Sequence, residues 1–290
     1  MPTPRIADLQ IQIHEWLPAL ANPERSPVVC LPSTGLSGTQ WRKLAKQLAE
    51  RGHRVLAPDL IGYGESQAWP SDRVFETRHD IAVVDATIDL CAGPVHMVAH
   101  SYGGRVGLAA ATNRPELLRS IALFEPTCFG VLRSTGDDDA LRELIDQDSD
   151  QRFLDDHFGG SEAWIERFVD YWSGQGTWAE FSPEERAAWL RSGRKMFEEV
   201  RETALDEVPH QRYVERLGAI PMLVMSGAES TRAGRRCAAV LGEVMPKCRH
   251  VELAEVGHMA PLLAAREVNG LILDHITVLE SGGQETSLAN

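Results

Sequence analysis

An apolar run, Val95-His96-Met97-Val98-Ala99, leads straight into the string His100-Ser101-Tyr102-Gly103-Gly104, and no other stretch limits the fold as much. The run reads as a buried strand and residues 102–113 as a helix, so the chain has to turn sharply around a single residue, Ser101. Such a turn strains the backbone at the serine and leaves room only for small side chains two positions to either side, where the chain has Ala99 and Gly103. It also lifts a hydroxyl clear of the strand end, which is where a nucleophile must stand. An ordinary helix N-terminus capped by Ser101 would carry the same string, and the turn by itself does not separate the two.

The rest of the chain repeats this alternation. Short apolar runs at 11–14, 28–31, 54–57, 95–99, 120–125, 222–226 and 250–253 predict strands, with helical patterns at 39–51, 79–91, 102–113, 231–244 and 261–278. This is the signature of an α/β protein with a mainly parallel central sheet and helices on both faces. Residues 130–208 break the pattern. They hold helical stretches such as 140–147 and 184–201, no convincing strand, and four of the seven tryptophans. A helical block inserted between two strands of one sheet reads as a cap over the C-terminal strand edge, where open α/β sheets bind ligands. Most of its aromatics, Trp164, Trp172, Trp178 and Trp189 among them, read as packing between cap and core. The expected organisation is a core of 1–129 and 209–280, a cap of 130–208, and a disordered polar tail of 281–290.

Composition removes several roles. The chain carries a formal net charge of −13, and −11 of it lies in residues 130–208, which repels phosphate backbones and anionic lipid. No nucleic-acid or membrane partner is expected. No apolar run approaches the roughly 20 residues that cross a bilayer. The N-terminal Met1-Pro2-Thr3-Pro4-Arg5 lacks an apolar signal core, so a cytoplasmic protein is expected. Cys30, Cys91, Cys128, Cys237 and Cys248 are odd in number and widely spaced, which argues against a disulfide frame or a zinc site. They read as small buried hydrophobes, and neither metal nor cofactor is expected.

Three more motifs accompany the serine turn. A Gly/Ser-rich loop, Leu31-Pro32-Ser33-Thr34-Gly35-Leu36-Ser37-Gly38, follows a strand and leads toward Trp41 and a helix; Ala57-Pro58-Asp59-Leu60-Ile61-Gly62-Tyr63-Gly64 reads as a tight structural turn; and Gly257-His258 sits in a loop after the last strand. In their order and spacing these four features resemble the α/β-hydrolase family from about residue 11 to 278. The resemblance implies the fold of that family, with the helical cap inserted after its sixth strand. It implies Ser101 as nucleophile, His258 as base, and an oxyanion hole made by the backbone N–H groups of Thr34 and Tyr102. The chain departs from the family pattern at Pro32-Ser33, where a His-Gly pair is usual. His100 is left to structure rather than chemistry.

The acid of such a triad is the open member. In many relatives it is an aspartate after the strand at 221–226, but the residue in register here is Ser230. Glu125, at the tip of the apolar strand Ile121-Ala122-Leu123-Phe124, and Glu229, one residue off the usual register, are the two candidates. Burying Glu125 without a partner would be costly, and a histidine would offset that cost. Glu125 could instead cap the first cap helix or pair with an arginine, and Glu229 could simply be solvated. The chemistry implied is cofactor-independent cleavage of a carboxylic ester, thioester or lactone through an acyl-enzyme. Hydrolysis of a carbon-carbon bond in a diketone is an alternative, and a non-catalytic ligand-binding protein on the same fold is another. A serine nucleophile speaks against dehalogenase and epoxide hydrolase chemistry, which need a carboxylate there. The expected substrate is a small molecule, neutral and partly apolar, and the expected assembly a monomer or homodimer.

Overall fold

The structure is a computed structural model and describes residues 4–20, 22, 24–146 and 152–285. It begins with a two-strand hairpin, β1 (Arg5–Ile6) and β2 (Leu9–Gln10), turned by Ala7 and Asp8 at φ 49° and 69°. Strands β3 (Ile13–Trp16), β4 (Val28–Leu31) and β5 (Val55–Pro58) follow, with helix α1 (Arg42–Glu50) between the last two. Helix α2 (Arg78–Asp89) precedes β6 (Val95–His100), α3 (Tyr102–Asn113) and β7 (Leu118–Phe124). Among the described residues seven α-helices then run without a strand: α4 (Gly130–Thr135), α5 (Asp138–Asp146), α6 (Glu162–Ser173), α7 (Thr177–Glu180), α8 (Pro183–Arg191), α9 (Gly193–Ala204) and α10 (His210–Leu217). The chain closes with β8 (Met222–Gly227), α11 (Arg232–Val244), β9 (Cys248–Leu253), α12 (Ala260–Leu263) and α13 (Ala265–Glu285).

Seven strands form one sheet in the order β3-β5-β4-β6-β7-β8-β9, parallel throughout except β3. Strands β4, β5, β6 and β8 are buried along their whole length and β7 is buried except at Arg119, as the near-continuous apolar runs require of a sheet covered on both faces. One face packs largely on α2, α3, α10 and α11, and the other on α1 and α13. Trp41 anchors the second face, its indole N–H donating to the Leu31 carbonyl at 2.9 Å.

The structure moves several expected boundaries. β3 starts two residues late because Ile11 donates its N–H to the Pro4 carbonyl beside the hairpin, leaving Ile13 to open the ladder opposite Pro58. Within the large sheet the helical insertion follows β7, the fifth of its strands in chain order, while β1 and β2 pair with each other. The stretch at 184–201 is two helices. Ser192 breaks it, donating its hydroxyl to the Gly62 carbonyl at 2.5 Å, a contact from outside the insertion that local propensity cannot register. At the C-terminus, α13 extends through residue 285 into the stretch read as a tail, with the Ser281 hydroxyl donating to the Thr277 carbonyl. Gln147 and 286–290 lie outside the described residues.

Candidate active site

Three strand ends converge on one point. β6 runs into Ser101, whose φ of 54° and ψ of −121° are the strained turn the sequence calls for, and its N–H extends the sheet by donating to the Phe124 carbonyl at 3.0 Å. Gly103 is required here. A Cβ on it would lie 2.4 Å from the Pro32 carbonyl oxygen, so only glycine lets the loop after β4 pack against the start of α3. Glu125, the residue after β7, is also left-handed at φ 42°, and its N–H donates to the Met225 carbonyl on β8. Past β9 the chain turns through Glu255 at φ 58° and delivers His258.

The side chains form one hydrogen-bonded line. His258 Nε2 lies 3.0 Å from Ser101 Oγ, and His258 Nδ1 lies 2.6 Å from Glu125 Oε2. A carboxylate can only accept, so Nδ1–H donates to Glu125 and Nε2 is left free to accept from the serine. Glu125 is fully buried and satisfied by two further donors, the Gly227 N–H at 2.8 Å on Oε1 and the Ser230 hydroxyl at 2.6 Å on Oε2. The residue at the usual acid position therefore serves the carboxylate instead of replacing it. Glu229 is exposed and spends its N–H on the Val256 carbonyl, so the structure brings Glu125 to the histidine and leaves Glu229 outside.

Several supporting residues have no local sequence signal. His100 Nε2 donates to the His258 carbonyl at 2.9 Å, which leaves its Nδ1 to accept from Gln40 at 3.0 Å, while the other end of the Gln40 amide accepts from the Ser33 N–H. One imidazole thus ties the loop after β4 to the His258 loop. Complete burial, reinforced by the neighbouring His258, holds His100 well below the usual histidine range, so it is neutral. Trp172, from α6, sets its ring 4.3 Å from that of His258. Asp59 is structural, as the motif suggests: its carboxylate accepts from the Gly38 and Glu65 N–H groups and from His14.

The two predicted oxyanion residues flank Ser101. Tyr102 is the first residue of α3, so its N–H has no helical carbonyl to bond. Thr34 is buried, and its hydroxyl donates to Glu199 of α9. Thr34, Ser101, Tyr102 and Thr127 share a cavity of about 20 Å³ with Phe129, Phe153, Phe168, Trp172, Val200 and Ala204, most of these from the inserted helices. That is room for about one water. On the far side of Trp172 a groove of about 600 Å³ runs past His258, Tyr171, Glu229 and Glu255. Among the described residues no group of His, Cys, Asp and Glu could hold a metal ion, and no helix is long and apolar enough to cross a membrane.

Comparison with known proteins places the fold. A model of the alpha/beta hydrolase family matches residues 28–271. The chain is 33% identical over 136 residues to a haloalkane dehalogenase of Agrobacterium fabrum, covering 47% of this chain and 41% of that protein. It is 29% identical over 147 residues to lipase LipV of Mycobacterium tuberculosis, covering 50% and 49%. A 2-hydroxymuconate semialdehyde hydrolase of a Pseudomonas species is 34% identical over 87 residues, 29% of each chain. The chain spans less than half the length of each of these relatives. Among solved structures, an enol-lactonase from Burkholderia xenovorans covers 94% of this chain and 98% of its own with a TM-score of 0.67 at 17% identity. An epoxide hydrolase from Vigna radiata covers 95% and 96% with a TM-score of 0.65 at 21% identity, so both are likenesses of fold.

Proposed function

The chain belongs to the alpha/beta hydrolase family, and on that premise we propose that it is a serine hydrolase cleaving a carboxylic ester, thioester or lactone. The observation that carries the reading is the unbroken line Ser101–His258–Glu125 at 3.0 and 2.6 Å. Ser101 Oγ attacks the carbonyl carbon while His258 Nε2 takes its proton, and Glu125 holds the tautomer and stabilises the imidazolium. The tetrahedral oxyanion is met by the N–H groups of Thr34 and Tyr102, each worth about 3 kcal/mol by analogy with removal of one such donor elsewhere. The leaving oxygen or sulfur departs with the proton from His258, and water then attacks the acyl-enzyme with His258 again as base. A binding-only role would not require the carboxylate, imidazole and hydroxyl in register.

The dehalogenase and epoxide hydrolase relatives do not carry their chemistry over, because those reactions need a carboxylate where this chain has Ser101. The likeness to 2-hydroxymuconate semialdehyde hydrolase favours a second reading, carbon-carbon hydrolysis of a diketone, through the same three residues. The apolar wall around Ser101 suits a neutral, partly apolar acyl group. Intact-mass and peptide mapping after fluorophosphonate treatment tests the reading. One adduct on Ser101, absent from Ser101→Ala, is expected; an unlabelled wild type would leave a non-catalytic role.

A further inference from the structure

Beneath the loop that carries Thr34 lies a buried charge cluster that the proposed reaction does not use. Lys195, from α9, reaches Asp80 Oδ2 at 2.8 Å and Glu199 Oε2 at 2.5 Å, and all three side chains are nearly or fully buried. One lysine between two carboxylates leaves a net negative charge in the core, which is costly unless other donors satisfy it. Two of the donors come from the site and two from the turn after β5. Glu199 accepts from the Thr34 hydroxyl and from Tyr63 at 2.9 Å, and Asp80 accepts from the Tyr102 hydroxyl at 3.1 Å and from the Ile61 N–H at 2.9 Å. Burial pushes the Glu199 carboxyl above its usual range, with Lys195 pulling against that shift and Asp80 adding to it.

Thr34 and Tyr102, the two residues assigned to the oxyanion hole, are thus tethered by their side chains to one ion cluster, two of whose three members come from the inserted helix α9. The loop needs such a tether. It carries Pro32-Ser33 where the family pattern has His-Gly, and Gly35, at φ 74°, packs so closely beneath Trp189 of α8 that a Cβ would lie 2.5 Å from the ring. Resting on the serine-hydrolase reading, we infer that Glu199 is a positioning residue that sets the oxyanion hole from the inserted segment by gripping the Thr34 hydroxyl, with Lys195 holding Glu199 in place.

A pair of inhibitors tests this: a trifluoromethyl ketone, which adds to Ser101 and places an oxyanion in the hole, and the methyl ketone of the same chain, which only fills the pocket. Thr34→Val keeps the backbone N–H and shape but removes the tether. It should weaken the trifluoromethyl ketone about ten- to a hundredfold and leave the methyl ketone unchanged, since a misplaced donor is felt only once charge develops. Thr34→Ser should restore tight inhibition. Equal inhibition of Thr34→Val and wild type, or equal weakening of both ketones, would overturn the inference. If Thr34→Val does not fold, Glu199→Ala, which leaves Lys195 paired with Asp80, should show the same selective loss, and failure to do so overturns it equally. A wild type that ignores the trifluoromethyl ketone and takes no fluorophosphonate overturns the hydrolase reading and this assignment together, whereas a labelled wild type with an indifferent Thr34→Val removes the assignment alone.

Discussion

The strand edge and the inserted helices meet at the same site and contribute to it in different ways. The edge supplies Ser101, Glu125 and His258, the first two directly at strand ends and both in left-handed backbone. Each is fixed by the turn it sits in. The helices supply Trp172, Trp189, Lys195 and Glu199, which act through side-chain tips on partners far away in sequence: Glu199 and Thr34 are 165 residues apart, Lys195 and Asp80 115. Groups that react are set by the backbone, and their surroundings are set by long-range packing. Substitutions on the edge should therefore cost rate with little stability, and substitutions in the helices should cost stability, alter substrate choice or, at Glu199, loosen the oxyanion hole.

The largest effect belongs to the edge. Glu125→Gln keeps the shape but cannot stabilise an imidazolium, and kcat on a p-nitrophenyl ester should fall about 10⁴-fold with the melting temperature little changed. A loss under tenfold would mean that another carboxylate serves His258. Next comes Lys195→Met, which leaves Asp80 and Glu199 facing each other without a cation in the core. It should destabilise the fold by about 3–5 kcal/mol, read from denaturant unfolding. A neutral result would break the contrast from the side of the inserted helices.

His100 tests whether the edge also has a stability signature. Its imidazole is held neutral in the folded chain, while the unfolded chain takes up a proton below the usual value of 6.5, so stability is lost as pH falls through that value. The loss should approach about 1.4 kcal/mol per pH unit from this one group. Wild type minus His100→Gln, measured as unfolding free energy between pH 7 and 5, should show that slope, and a flat difference would sink the assignment of a neutral His100. The smallest effect should come from Trp172→Ala. Removing the wall between cavity and groove should raise kcat/KM for a hexanoate ester relative to an acetate about tenfold. An unchanged ratio would mean that the ring supports His258 without limiting the acyl chain.

The contrast also explains which parts were legible in the amino-acid sequence. The strand runs at 28–31 and 222–226 match β4 and β8 to within a residue, because strands buried on both faces are written as continuous apolar stretches. Ser101 was legible because its turn demands small neighbours on both sides, and His258 because of its place after the last strand. The choice between Glu125 and Glu229 was not. Both are carboxylates beyond strand tips, and what separates them is which one the His258 loop meets. That depends on Gly227, whose missing side chain lets the Val256 carbonyl approach to where a Cβ would be 2.2 Å away. Ser230 was read only as the absence of an acid, whereas in space it is a donor to the acid.

The sequence alone determined the seven strands of the large sheet in chain order, a turn at Ser101, and the histidine His258 and the two carboxylates Glu125 and Glu229 available to it. These follow from periodicity, residue size and local backbone strain, all of which act over a few residues. Only the tertiary structure decided that Glu125 is the carboxylate in line, that His100 and Gln40 brace the two loops, and that a glutamate from the inserted helices, itself held by a lysine, accepts from Thr34. Those outcomes depend on burial and on partners up to 165 residues apart. A buried charge takes whichever donor the packed core brings within hydrogen-bond distance, and local sequence carries no record of which one that is.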